Sequence, residues 1–460
     1  METAVATVGY ALDVDKEFFT AIQSINTGEG VGWNSPYKIL YVRGLESRVK
    51  NFVNGGSPNL GKPHTLGMEP CMECNWNCQF CSYAARNGRA KELKGSGGNA
   101  TVNIAPETLL ELADFMINAR AASCWGGGGE HTMWRDPSGQ MSRKESTLWL
   151  RDNILNVLGE EGLPMSAVTN MVLADTFAET WMRYHVYLMM NVPSTDPLVF
   201  QEINGTNTLP RVLDNIKFIA NNRKKYSAER NAHGLNATVK LDARVVVTET
   251  NAKSLVETAE TLIDIGVDFV GFRCAGDFEG LGNGISTHGV EKLRQYLNKN
   301  ESRISQLDSK RTNLCKLLKG ESSNGNMTLL IDGACTEGIR CWVQLLGLRG
   351  VPVPSGYYPC TQFAGREVNE ENDSPWSAGS FSGSLDDIVN SQRHRHVSHL
   401  HSEQTANGVC PEMNMCSQRM FNKVIEEVYK LVLAGYEIPQ IEYDSPGFRR
   451  SIVKDDGWFI

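Results

Sequence analysis

The chain has 460 residues, of which 41% are hydrophobic and 21% charged, and a formal net charge of −8. That length suits more than one folding unit, and the acidic balance excludes a generic nucleic-acid binder, whose surface is basic. No run reaches the roughly 18 apolar residues of a membrane span, and Met1–Lys16 lacks the pattern of a signal peptide, so no membrane role is expected and the expected compartment is cytoplasmic.

Residues 1–63 read as an N-terminal cap: a helix near Lys16–Ser24, a short strand Tyr37–Val42 and a helix Leu45–Val53, ended by Gly55-Gly56-Ser57-Pro58. From 64 to 276 strands and helices alternate. The predicted strands are Thr65–Glu69, Ala122–Trp125, Met165–Asn170, His185–Asn191, Ala237–Thr248 and Asp268–Arg273. Between them the apolar spacing predicts helices over Ala105–Ala121, Thr147–Leu158, Ala174–Arg183, Leu209–Asn221 and Ala252–Ile265. Such alternation makes an α/β unit with a parallel sheet, open or partly closed, whose ligand sites lie at the C-terminal strand ends. Residues 277–326, with Val290–Lys319 mostly helical, read as a bridge. Residues 327–425 read as loop-rich, with helix over Ser417–Leu433, and 426–460 as a C-terminal helix and tail.

Twelve cysteines in such a chain point to metal or catalysis rather than disulfides. Four fall in Cys71–Cys81 and five in Cys335–Cys416, which predicts two metal sites. In the first group Cys74, Cys78 and Cys81 form C-x3-C-x2-C directly after a predicted strand. Thiolates so spaced reach three corners of one [4Fe–4S] cube and leave the fourth iron open; Phe80 is placed to shield one side. The competing reading is a zinc site that adds Cys71, yet zinc pairs are normally further apart in sequence.

These residues resemble the radical S-adenosylmethionine superfamily, whose members carry C-x3-C-x2-C, with an aromatic residue before the last cysteine, after the first strand of a partial (β/α)6 barrel. Gly128-Gly129-Glu130 matches the superfamily's glycine-rich mark at the end of strand two, whose backbone meets the cofactor's methionine amino group. The resemblance covers about residues 64–276 and implies a [4Fe–4S] cluster, S-adenosylmethionine as cofactor, and an electron donor such as flavodoxin or ferredoxin. It also implies that Thr169, Asn170 and Arg244 meet the cofactor carboxylate; an ordinary strand-end turn and an ion-paired strand residue are the alternatives.

The second group, Cys335-x5-Cys341-x18-Cys360 with Cys410-x5-Cys416, resembles the SPASM or twitch extension of that superfamily. The resemblance implies one auxiliary [4Fe–4S] cluster on Cys335, Cys341, Cys360 and Cys416, with Cys410 competing for the last place. Cys274 follows strand six and is a candidate hydrogen-atom donor, with a buried core thiol as the alternative. Asp277 and Glu279 are candidate bases. His394, His396, His399 and His401 read as a solvated helix or loop. The expected reaction cleaves S-adenosylmethionine to a 5′-deoxyadenosyl radical that abstracts a substrate hydrogen atom, with oxidation through the auxiliary cluster as the outcome. Redox-neutral epimerisation or rearrangement is one rival, and a zinc-bound interaction protein is another. The expected substrate is a small molecule or a peptide, the former favoured because the cap lacks a winged-helix pattern.

Overall fold

The computed structural model describes residues 45–56, 62–81, 102–275, 285–307, 311–318, 340–360, 377–381, 384–406 and 419–435. The predicted elements near Lys16–Ser24 and Tyr37–Val42 lie outside them. Six strands pair side by side in chain order, all parallel: β1 (Thr65–Met68), β2 (Ala122–Trp125), β3 (Met165–Thr169), β4 (His185–Asn191), β5 (Lys240–Val247) and β6 (Phe269–Cys274). Helices Pro106–Ala119, Arg143–Leu150 with Asn156–Glu160, Ala174–Tyr184, Leu209–Asn222 and Leu255–Asp264 connect them in turn. This is the α/β, partial (β/α)6 barrel that the alternation and the resemblance implied.

Register explains why the strands are so apolar on one side. Met68, Trp125, Ala167, Leu188 and Leu241 stand in one row across five strands, and each is fully buried against the helices. Removing a side chain of Leu or Met size from water contributes about 1.5–3 kcal/mol, so this row helps to hold the sheet against its helices. Because strand side chains alternate, the adjacent row Val168, Met189, Asp242 and Phe269 faces the opposite way, into the barrel.

The sheet does not end at six strands. β7 (Arg349–Val353) pairs parallel with β1, and β8 (Gly356–Tyr358) pairs antiparallel with β7, giving the order β6-β5-β4-β3-β2-β1-β7-β8. The sequence placed these residues in a loop-rich region because each strand is short and Pro352 and Gly350 interrupt the pattern. Gly350 is required by packing, since a Cβ there would lie 1.7 Å from the Tyr357 hydroxyl.

The sequence-drawn boundaries also cross a shared core. Helix Leu45–Val53 packs with Trp342–Leu345 and Arg419–Leu433 around Val49, Trp342, Leu346 and Ile425. Buried Arg48 donates to the carbonyls of Leu346, Gly347 and Lys62. The cap, the second-cysteine region and the C-terminal helix are thus one packed unit in their described parts, and a boundary at 425/426 cuts through a helix. The histidine tract is helix Gln392–Ala406. His394 on it is buried, not solvated, with Nδ1 2.7 Å from the Val389 carbonyl oxygen, while His396 and His399 are exposed. Among the described residues, no helix is long and apolar enough to cross a membrane.

Candidate functional site

At the C-terminal end of β1–β4 one cleft is lined by Cys74, Trp76, Cys78, Phe80, Cys81, Gly127–Gly129, Glu130, Val168, Thr169, Asn170 and Asn191. All three cysteines of C-x3-C-x2-C therefore open onto one space shared with the glycine run, 47 residues along the chain from Cys81 to Gly128.

The cysteine loop has no regular structure of its own and is held from outside. Met72 N–H donates to Val102 O at 2.9 Å, and Ile104 N–H to Pro70 O at 2.9 Å. On the far side Asn77 N–H donates to Asn204 O at 3.1 Å and Gln79 N–H to Ile203 O at 3.0 Å, both at the end of helix Pro197–Asn204. Trp76 donates from Nε1 to Thr208 Oγ1 at 3.1 Å and sets its ring edge-on to Phe200. The Met72, Asn77 and Gln79 bonds each satisfy a loop amide that water would otherwise have to reach.

The glycines are fixed by approach as much as by turning. Gly126 and Gly127 have φ of +91° and +139°, which side chains disfavour. Gly129 has no such φ, but a Cβ there would lie 2.5 Å from the carbonyl oxygens of both Cys71 and Glu73. The end of β2 thus presses directly on the cysteine loop, and Glu130 N–H donates to Glu73 O at 2.8 Å.

Glu130 contributes more than its backbone. Its buried carboxylate accepts from Thr132 N–H at 3.3 Å, Thr132 Oγ1 at 2.7 Å, Thr169 Oγ1 at 3.0 Å and Asn170 N–H at 2.7 Å. Thr169 and Asn170 are thereby locked at the end of β3. The Asn170 side-chain amide in turn lies 3.8 Å from Cys74 Sγ and donates to Asn75 Oδ1 at 2.5 Å. The side chain of Glu130 is a clamp between strands two and three, a role that the motif alone does not reveal.

Burial dominates the thiol chemistry. Desolvation pushes Cys74 up to about 12 and raises Cys78 as well, with the neighbouring thiols adding to both. Without compensating positive charge these groups remain thiols; iron supplies that charge and displaces the protons. The three soft thiol donors and the side-chain-free glycine cradle fit a cube with three cysteine ligands. Among the described residues, no three His, Cys, Asp or Glu side chains are grouped to hold a metal ion. Cys71 is turned away into the core, its Sγ accepting from Glu73 N–H at 3.2 Å, so the fourth ligand of the zinc reading is engaged elsewhere.

The remaining sequence-predicted residues separate. Arg244 faces the barrel interior beside Asn191 in register, but its guanidinium folds back to Asp242, 2.6 Å away, and over the Phe269 ring. It does not line the cleft, so the ion-paired alternative describes its placement. Cys274 shares the helix-facing side of β6 with Val270 and Phe272 and packs in the main core, where burial pushes it up to about 12. This is the buried-thiol alternative, and a hydrogen-atom donor would need the other face. Asp277 and Glu279 lie outside the described residues, as do Cys335, Cys410 and Cys416. Cys341 and Cys360 are both buried. Sequence reasoning missed Trp76, Gly127, Val168 and Asn191 as lining residues. Position was available as a signal for each: Trp76 lies inside the cysteine motif, Gly127 in the glycine run, and Val168 and Asn191 near strand ends.

Residues 68–228 match the family model of the radical SAM superfamily. This part of the chain is a radical SAM domain. Its cofactors are a [4Fe–4S] cluster and S-adenosylmethionine, and its class of reaction is S-adenosylmethionine-dependent radical chemistry. No curated protein sequence matches the chain. Among solved structures the chain is similar to Streptococcus suis SuiB bound to precursor peptide SuiA, at 14% identity over 89% of this chain and 79% of that one, with a TM-score of 0.48. It is also similar to anSMEcpe with bound S-adenosylmethionine and a Cp18Cys peptide, at 12% identity over 81% and 98% of the two chains, with a TM-score of 0.43.

Proposed function

We propose that this protein is a radical oxidase: it abstracts a hydrogen atom from a small-molecule or peptide substrate in the barrel, and an auxiliary [4Fe–4S] cluster takes the remaining electron. The observation that carries the radical half is the single cleft onto which Cys74, Cys78, Cys81 and the glycine run all open. When bound, the cluster supplies the electron that splits S-adenosylmethionine into methionine and a 5′-deoxyadenosyl radical. Cys74, Cys78 and Cys81 hold it; Gly127–Gly129 leave room for the cofactor's methionine end, and the Glu130 clamp fixes Thr169 and Asn170 beside it. Helices around the barrel and Trp76 and Phe80 at its mouth exclude water and oxidants from the site.

The oxidative half is supported by the second cysteine group, of which two members are buried: Cys341 at the start of helix Trp342–Leu345 and Cys360 two residues beyond β8. Cys335 and Cys416 are the other ligands proposed, with Cys410 the alternative to Cys416. The domain reading that accompanies this is a radical SAM barrel over 64–276 followed by an auxiliary-cluster unit that includes the N-terminal helix. In the epimerase rival a thiol returns the hydrogen atom, and the helix-facing side of β6 gives Cys274 no support for that role.

The test is anaerobic reconstitution followed by metal analysis and reduction. About eight irons per chain, with 5′-deoxyadenosine released from S-adenosylmethionine, is the expected outcome. Zinc without iron or labile sulfide removes the radical reading altogether. About four irons with full turnover removes the auxiliary cluster alone.

A further inference from the structure

Asn204 closes helix Pro197–Asn204, its side chain is fully buried, and its Oδ1 lies 3.1 Å from Cys78 Sγ. As drawn, the thiol donates to the amide oxygen, and Asn204 Nδ2 has no hydrogen-bond partner. A buried N–H group without an acceptor is costly, more so than a carbonyl oxygen in the same position. The arrangement holds only while Cys78 carries its proton. Once Cys78 is an iron ligand its sulfur is a thiolate, which accepts hydrogen bonds and has none to give. Oδ1 at 3.1 Å would then set one lone pair against another.

A half-turn of the carboxamide about its last side-chain bond removes both faults, because the oxygen and nitrogen of an asparagine exchange places with little change of shape. We propose that in the loaded protein Asn204 donates its side-chain N–H to the Cys78 thiolate and thereby raises the reduction potential of the cluster. A donor to a ligand sulfur draws off electron density and favours the more negative, reduced state. The site is built for this. The Ile203 and Asn204 carbonyls accept from Gln79 and Asn77, so the backbone that carries the amide is bolted to the loop that carries the thiol. Gly205, at φ +68°, ends the helix there, and a Cβ on it would already touch Asn77 at 3.5 Å. With Asn170 beside Cys74, two of the three cluster thiolates have a carboxamide neighbour, each from a different strand-end connection.

The inference rests on the cluster reading above. It is tested with the full-length reconstituted protein and its Asn204→Leu and Asn204→Asp variants, by iron content and an EPR-monitored redox titration without substrate. Loss of the donor is expected to lower the reduction equilibrium about tenfold, which is about 59 mV for one electron, at unchanged iron per chain; Asn204→Asp should shift at least as far, because it adds negative charge. Equal potentials in all three proteins overturn the inference and leave the cluster reading intact, whereas failure of the unsubstituted protein to bind iron overturns the cluster reading itself. Should neither variant retain iron, pulsed EPR of the unsubstituted protein labelled with ¹⁵N in asparagine side chains decides. A coupling that persists when Asn75, Asn77, Asn170 and Asn191 are each replaced by Leu supports the Asn204 contact, and its absence overturns it.

Discussion

Replacing Gly129 with Ala separates steric fit from backbone freedom at the heart of the site. Gly129 has no positive φ, so Ala suits its conformation, and a compatible Gly→Ala change ordinarily stabilises by about 0.4–1 kcal/mol through the unfolded chain. Here the added carbon would lie 2.5 Å from the Cys71 and Glu73 oxygens and 2.8 Å from the Met72 carbonyl carbon, all backbone atoms that cannot rotate away. Reaching ordinary contact at 3.4 Å requires the loop or the strand end to retreat by 3.4 − 2.5, about 0.9 Å. Overpacking of this kind costs about 1–3 kcal/mol, so the net change is destabilising by about 0–2.5 kcal/mol. The larger effect falls on chemistry, because a displacement near 1 Å of a positioned reactant costs up to about a hundredfold in rate. The assay is 5′-deoxyadenosine release per iron in anaerobically reconstituted protein, with melting temperature measured in parallel. Gly139→Ala is the control: its φ of +75° strains the backbone, but nothing lies within 4 Å of the added carbon, so it should lose stability without losing rate. Normal rate and iron content in Gly129→Ala would refute the claim that the strand end bears on the cysteine loop.

Cys78→Ala should lose the cleavable cluster and 5′-deoxyadenosine release together, read by iron analysis and chromatography. Cys360→Ala should lose about four irons and substrate oxidation while still cleaving S-adenosylmethionine; retained oxidation at full rate would remove the auxiliary role. Glu130→Gln sets an amide N–H against donors that now meet a carboxylate, and should cost about 1–3 kcal/mol of stability, measured by denaturant unfolding, with weaker S-adenosylmethionine binding in a dialysis assay. Asp242 is raised to about 6 by burial, against which Arg244 works only partly. Its protonated form is favoured in the fold, so the stability it contributes is complete below the unfolded value of 3.8 and is lost as pH rises to about 6. Asp242→Asn should therefore raise the melting temperature at pH 8 more than at pH 4, and an equal shift at both would count against the assigned cause.

The barrel was legible because its signals are periodic and local. Ala122–Trp125 and His185–Asn191 occupy the strands that the sequence placed there, and the other four differ only at their ends. The cleft was legible through motif order: cysteines after strand one, glycines after strand two, polar residues after strand three. The side-chain role of Glu130 was hidden because it depends on Thr169 and Asn170, which reach it from 39 and 40 residues away in the chain. Cys274 was ambiguous for a similar reason: whether a strand residue faces the lumen or the helices turns on register, and a shift of one position reverses it. β7 escaped notice because short strands with Gly and Pro carry almost no pattern; their pairing comes from what lies across the sheet.

That pairing affects the order of assembly. β1, the strand that delivers the cysteine loop, has β2 on one side and β7 on the other, and β7 begins only at Arg349. A growing chain that has completed every barrel strand through Cys274 still presents β1 as a raw edge, open to any stray strand that can pair with it. The iron site's own scaffold is therefore finished last, by a segment lying far downstream. Nascent chains halted between the two should aggregate or recruit chaperones more readily than those released after residue 360.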